Sequence, residues 1–146
     1  MRYVVSSLDL SALRGAVASL ESGLGVAADT SWFDAQSQAV RDTLIAGVVQ
    51  NFEFVYELSV KMLRRQLERR SDSPDEVDRS SFRDMLRTAG EKGLIEDVEA
   101  WFRHHTMRNI TAQTYDHEKA RMVYQAAPAL LNDARALLVT LEAVNG

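Results

Sequence analysis

Between residues 103 and 117 the chain reads Arg103-His104-His105-Thr106-Met107-Arg108-Asn109-Ile110-Thr111-Ala112-Gln113-Thr114-Tyr115-Asp116-His117. All 3 histidines of the sequence fall in this run, beside two arginines, two primary amides and a phenol. Arginine offers a permanently charged fork for phosphate oxygens. Imidazole, amide and phenol add hydrogen bonding and proton transfer. The set suits a phosphate, nucleotide or RNA site built on Arg108 and Asn109 with His104 or His105. Trp101, one of the histidines and Arg108 can share a helix face, and a helix starting at Asp116 would add backbone N–H donors. A hydrogen-bonded corner between two helices is the plainer alternative. His104 and His105 are adjacent and leave a helix on different faces, so they make a poor metal pair.

A second set is Glu53, Glu57 and Lys61, each four residues apart. It reads either as a dicarboxylate site of the kind some bundles carry or as a Glu57–Lys61 pair along a polar seam. The plainer reading is the seam, because matching His or further carboxylates are missing. Lys61, Arg64, Arg65, Arg69 and Arg70 crowd one helix end, where positive charge complements the macrodipole and could also meet phosphates. No glycine-rich phosphate loop and no HExxH occur in the sequence. With 0 Cys, disulfides, Cys-ligated zinc and thiol catalysis are excluded. Neither a metal nor a cofactor is expected.

The elements that must position these groups are helical. Leu10, Leu13, Val17, Leu20 and Leu24 form one stripe. Ser6 and Asp9 are spaced as a capping box, Gly23 and Gly25 weaken the end of this helix, and Ser31 can cap the next. A second helix is predicted from Trp32 or Phe33 to Arg70. It carries two apolar stripes about 100° apart, one through Leu44, Val48, Asn51, Val55, Leu58 and Met62, the other through Ile45, Val49, Phe52, Tyr56, Val60, Leu63 and Leu67. An arc this wide predicts a helix at the centre of a bundle or one that also forms a dimer interface. A polar residue such as Asn51 within a stripe often sets packing register.

Residues 71–80 read as a flexible linker, with Pro74 stopping the long helix. A short helix follows with Phe82, Met85, Leu86 and Ala89 inward. Leu94, Val98, Trp101 and His105 mark another, ending near Arg108-Asn109. Asp116 can cap the last helix, in which Val123, Leu130, Leu137 and Val144 recur every seven residues beside Ala127, Ala134 and Leu141. Pro128 keeps that phase, which predicts a kink rather than a break. The expected fold is all-α: an up-down four-helix bundle with an extra short helix.

The 146 residues are 46% hydrophobic and 26% charged, which fits one globular domain spanning 1–146. A net charge of −4 argues against nucleic-acid binding through bulk positive charge. No run approaches the ~18 apolar residues of a membrane helix, and the N-terminal residues resemble no signal peptide, so a cytoplasmic protein is expected.

Three blocks carry a resemblance. Phe52-Glu53-Phe54-Val55-Tyr56-Glu57-Leu58-Ser59-Val60-Lys61 is similar to a pattern FExxYELxWK, with Val60 where Trp is usual. Phe82-Arg83 leads through Gly93-Leu94-Ile95-Glu96-Asp97 to Trp101. Arg108-Asn109-Ile110-Thr111-Ala112-Gln113-Thr114-Tyr115-Asp116 is similar to RNxTSHTYD. In this order, across 41–124, they resemble the nucleotidyltransferase substrate-binding protein family, the HepT-like branch of the HEPN helical bundles.

The resemblance implies a homodimeric bundle whose partner is a minimal nucleotidyltransferase encoded nearby. One family reading has the bundle serve that enzyme as a substrate-binding or regulatory subunit. The other is a toxin–antitoxin pair: the bundle is a metal-independent ribonuclease with an RxxxxHxY motif, silenced when AMP is attached to the motif Tyr. By position Arg108 matches the motif Arg and Tyr115 the motif Tyr, while Gln113 stands where the motif has His. An amide cannot relay protons near neutral pH, which speaks against cleavage unless His104, His105 or His117 substitutes. Gln113 can still orient a phosphate, Arg108 can still stabilise phosphoryl charge, and Tyr115 remains a phenol able to accept AMP. The resemblance thus implies first a non-catalytic or weakly catalytic partner subunit, and alternatively the ribonuclease.

Overall fold

The computed structural model describes residues 7–146. Along these the chain forms α1 (Ser11–Ala28), α2 (Thr30–Ala35), α3 (Gln38–Arg70), α4 (Pro74–Arg79), α5 (Phe82–Glu91), α6 (Val98–Ile110) and α7 (His117–Asn145), with a 3₁₀ turn at Thr111–Gln113. No strand occurs among the described residues. Side-chain caps set most starts. Ser37 accepts from Val40 N, Ser81 from Asp84 N, Asp97 from Ala100 N, and Asp116 from Glu118 N and Lys119 N.

Four helices make the bundle. Arg14 pairs with Glu142 and Glu21 with Arg135, so α1 and α7 run antiparallel. Asn51 Nδ2 donates to Ser19 O, tying α3 to α1. Tyr56 meets His105, and Glu57 and Glu53 meet Arg108, so α6 descends along α3. Asn145 Nδ2 donates to Gln66 Oε1 where α3 and α7 end side by side. The core between them contains Leu13, Leu20, Phe52, Leu63, Leu86, Leu130 and Leu141, all with 0% exposure.

Most of both apolar stripes of α3 is buried inside one chain, while Leu44, Ile45, Leu58 and Val60 are half-buried. Val48, Val55, Met62, Val49, Phe52, Tyr56, Leu63 and Leu67 are buried against neighbouring helices. The wide arc fits a helix at the centre of the bundle.

Several boundaries differ from the sequence reading. Ser6 lies outside the described residues. α1 starts at Ser11, whose N–H donates to Asp9 Oδ1, and runs through Gly23 and Gly25 to Ala28. The 33-residue α3 begins at Gln38, because Asp29, not Ser31, caps a separate one-turn helix and Arg41 Nη1 then binds the carbonyls of Asp34 and Gln36 in the joint. The expected linker at 71–80 contains α4, started by Pro74 at its first turn with Asp75 and Glu76 and held by Arg64 donating to Val77 O. As the unshifted phase of its pattern predicts, α7 runs through Pro128 without a break. Two glycines are dictated by geometry. Gly93 takes φ +76° after α5, and a Cβ on Gly90 would lie 2.6 Å from Val98 Cγ2, where α5 crosses the start of α6.

No helix among the described residues is long and apolar enough to cross a membrane.

Candidate functional site

Successive residues of α6 are turned by about 100°, and this separates His104 from His105. His104 is only 4% exposed. Its Nε2 lies 2.6 Å from Asp133 Oδ2 on α7, and its ring stands edge-on to Trp101 with centroids 5.2 Å apart. Burial holds this imidazole below its ordinary pKa, against the pull of Asp133 in the other direction.

His105 turns toward α3. Its Nδ1 is 2.6 Å from the Tyr56 hydroxyl, and its ring stacks on Phe82 at 4.2 Å. Partial burial and then the cations Arg108 and Arg83 lower its pKa. Burial raises the Tyr56 phenol, opposed by Arg108 and reinforced by Glu57. A phenol that resists ionisation thus shares a hydrogen bond with an imidazole that resists protonation.

One turn further, Arg108 Nε and Nη2 donate to Glu57 Oε1 at 3.0 and 2.6 Å, with Glu53 Oε1 at 3.7 Å. The Glu57 hydrogen bond, ahead of all other influences, pushes the guanidinium pKa up. This overturns the polar-seam reading. No Glu57–Lys61 ion pair exists among the described residues, and Lys61 is exposed. The two carboxylates instead flank Arg108, which Glu57 binds across 51 residues of chain. Any anion that recruits Arg108 must share it with Glu57.

The chain then turns tightly. Thr111 Oγ1 donates to Arg108 O and Thr114 Oγ1 to Thr111 O before Asp116 starts α7. The Gln113 carbonyl accepts from Lys119 Nζ, so a cation stands at the position where the resembled motif has His. Tyr115 is 86% exposed. Asn109, Asp116 and His117 are also exposed. No hydrogen bond joins Arg108 to Gln113 or Tyr115 among the described residues. Beside this turn, the starts of α3 and α7 enclose a groove of about 400 Å³ to which Thr114 and His117 contribute. Among the described residues no group of three His, Asp or Glu side chains is arranged to hold a metal.

The sequence matches, over residues 8–143, the family described as nucleotidyltransferase substrate binding protein like. The chain belongs to that family. A Haemophilus influenzae protein named as a probable ribonuclease HepT is 44% identical over 142 residues, covering 97% of both chains. A solved Haemophilus influenzae structure, described as revealing the fold of a substrate binding domain of a nucleotidyltransferase, superposes with a TM-score of 0.89 at 45% identity, covering 92% of this chain and 99% of that one.

In this member of the family, the first and third blocks that carried the resemblance meet in space through Glu57 and Arg108. Two participants were not singled out from the sequence. Tyr56 was assigned to an apolar stripe, although its hydroxyl is a polar handle that a buried tyrosine ordinarily satisfies. Asp133 was passed over, although an acidic residue between the core positions Leu130 and Ala134 is a signal for a buried partner.

Proposed function

We propose that this bundle is the partner subunit of a separate minimal nucleotidyltransferase, acting in the cytoplasm as a homodimer, and that Tyr115 is the position that enzyme modifies with AMP. The exposure of Tyr115 carries this reading: its side chain stands open at the turn before α7, within reach of another protein. Gln113, two residues before Tyr115, holds the Lys119 ammonium, a donor suited to phosphate. The solved relative described as a substrate binding domain of a nucleotidyltransferase supports the partner. In the transfer, the phenol oxygen attacks the α-phosphorus of ATP held by the partner enzyme. An O–P bond forms, the bond to pyrophosphate breaks, pyrophosphate leaves, and the phenol proton passes to solvent.

The test is co-expression with the nucleotidyltransferase encoded beside it, followed by mass spectrometry. One adenylyl group on the Tyr115 peptide and none in Tyr115→Phe are expected. An unmodified peptide and no captured enzyme would sink the proposal.

A ribonuclease reading is favoured by one observation. His105 lies on the same face as Arg108, and partial burial with the cations Arg108 and Arg83 lowers its pKa. RNA cleavage by wild type but not by Arg108→Ala would support it. Cleavage only after Gln113→His would mark a chain that lost the activity with the motif His.

A further inference from the structure

We propose that the groove between the starts of α3 and α7 binds a nucleoside 5′-phosphate whose base carries an exocyclic amine. At about 400 Å³ it lies within the roughly 300–1,000 Å³ range of small-ligand pockets. Its floor is apolar: Ile45, Ala46 and Val49 from α3 face Ala120 from α7. Such a strip takes the flat face of a base.

The two rims differ in charge. On the α7 side, His117 and Arg121 stand one turn apart and both line the groove. Arg121 forms no ion pair among the described residues, so its guanidinium is available to a phosphate. The Asp116 carboxylate already caps α7, which leaves anion binding to these two side chains rather than to the helix end.

On the α3 side the acceptor is already positioned. Arg41 Nη2 donates to Gln38 Oε1 at 2.9 Å, and Gln38 Nε2 donates to Asp42 Oδ1 at 2.7 Å. Asp42 Oδ2 makes no hydrogen bond among the described residues. A preset carboxylate oxygen on the rim opposite Arg121 selects a donor, and an exocyclic amine supplies one. The phosphate thus belongs at His117 and Arg121, the base over Ile45 and Val49, and its amine at Asp42. Thr114 and His117 flank Tyr115, so a nucleotide attached to Tyr115 has this groove beside it; that link alone rests on the function proposed above.

The experiment titrates the isotopically labelled full chain with AMP, with purine riboside 5′-monophosphate, whose base lacks the amine and gains no other donor, and with inorganic phosphate. AMP is expected to move the amides of Ile45, Ala46, Val49 and Ala120. Ala46→Trp, which fills the groove from an exposed position, and Arg121→Glu should each weaken AMP by about tenfold or more. Purine riboside 5′-monophosphate should bind about tenfold more weakly than AMP, and Asp42→Ala should erase that difference. Equal binding of purine riboside 5′-monophosphate and AMP, phosphate alone matching AMP, or AMP shifts unaffected by Ala46→Trp would each overturn the assignment. Tyr115→Phe should still bind free AMP. Modification of Tyr115 is read separately by mass, so failure of the groove and failure of the partner role are distinguishable.

Discussion

His104 turns into the bundle, meets Asp133 and stands against Trp101, whereas His105, the next residue, turns outward to Tyr56, Phe82 and Arg108. Both imidazoles are pushed toward the neutral form, yet by different surroundings. For His104 burial does this against an adjacent carboxylate. For His105 partial burial is joined by two cations. One helical step thus separates a ring that holds α6 to α7 from a ring that belongs to the charged face shared with α3. A single residue type serves packing on one side and a candidate site on the other.

That contrast predicts unequal costs. His104→Ala removes a buried ring and leaves Asp133 without its partner, so it should lower stability by about 3 kcal/mol. His105→Ala should cost about 1 kcal/mol, the scale of one hydrogen bond in a half-buried setting. Urea denaturation of both variants decides; equal losses would erase the distinction.

The pH dependence sharpens it. Both folded-state values lie below the ordinary 6.5, so the unfolded chain takes up protons first as pH falls. Their stabilisation is complete above pH 6.5 and declines as pH drops through the window below it. The denaturation midpoint should therefore be lower at pH 5.5 than at pH 7.5, less so in His104→Asn or His105→Asn, and least in the double variant. An unchanged slope in all three would assign acid sensitivity elsewhere.

The smallest effect on stability is expected from Arg108→Ala. The ion pair with Glu57 is substantially exposed, so its loss should cost within about 1 kcal/mol. Modification of Tyr115, measured by mass in the co-expressed pair, should nonetheless fall about tenfold or more through loss of the cation at the head of the turn that presents it. A large drop in melting temperature with normal modification would recast Arg108 as a structural strut.

Local periodicity made the helices legible, because burial along a helix repeats in the sequence itself. The stripes of α1, α3 and α7 lie where their spacing puts them. Starts were less legible where short helices intervene, although Ser73-Pro74-Asp75-Glu76 is a readable helix start. The Glu57–Arg108 contact was not legible. From spacing alone Glu57 has a partner four residues away in Lys61, and nothing local announces a competitor on another helix. Bidentate donation by Arg108 outweighs an exposed pair between flexible side chains. The opposite case is the pair of histidines, whose divergence follows from the helical step and could be read directly.

Besides Leu141 in its own helix, Asn145 binds three neighbours at once. Its side chain accepts from Leu8 N and donates to Gln66, and its carbonyl accepts from Ser7 Oγ. This knot lies a full 29-residue helix, about 43 Å, from the turn that presents Tyr115. Fusions or surface attachments made through either described end would therefore leave from the far pole of the bundle. The protein could be immobilised there with the Arg108–Tyr115 pole still open to solution, an orientation suited to watching a second protein arrive.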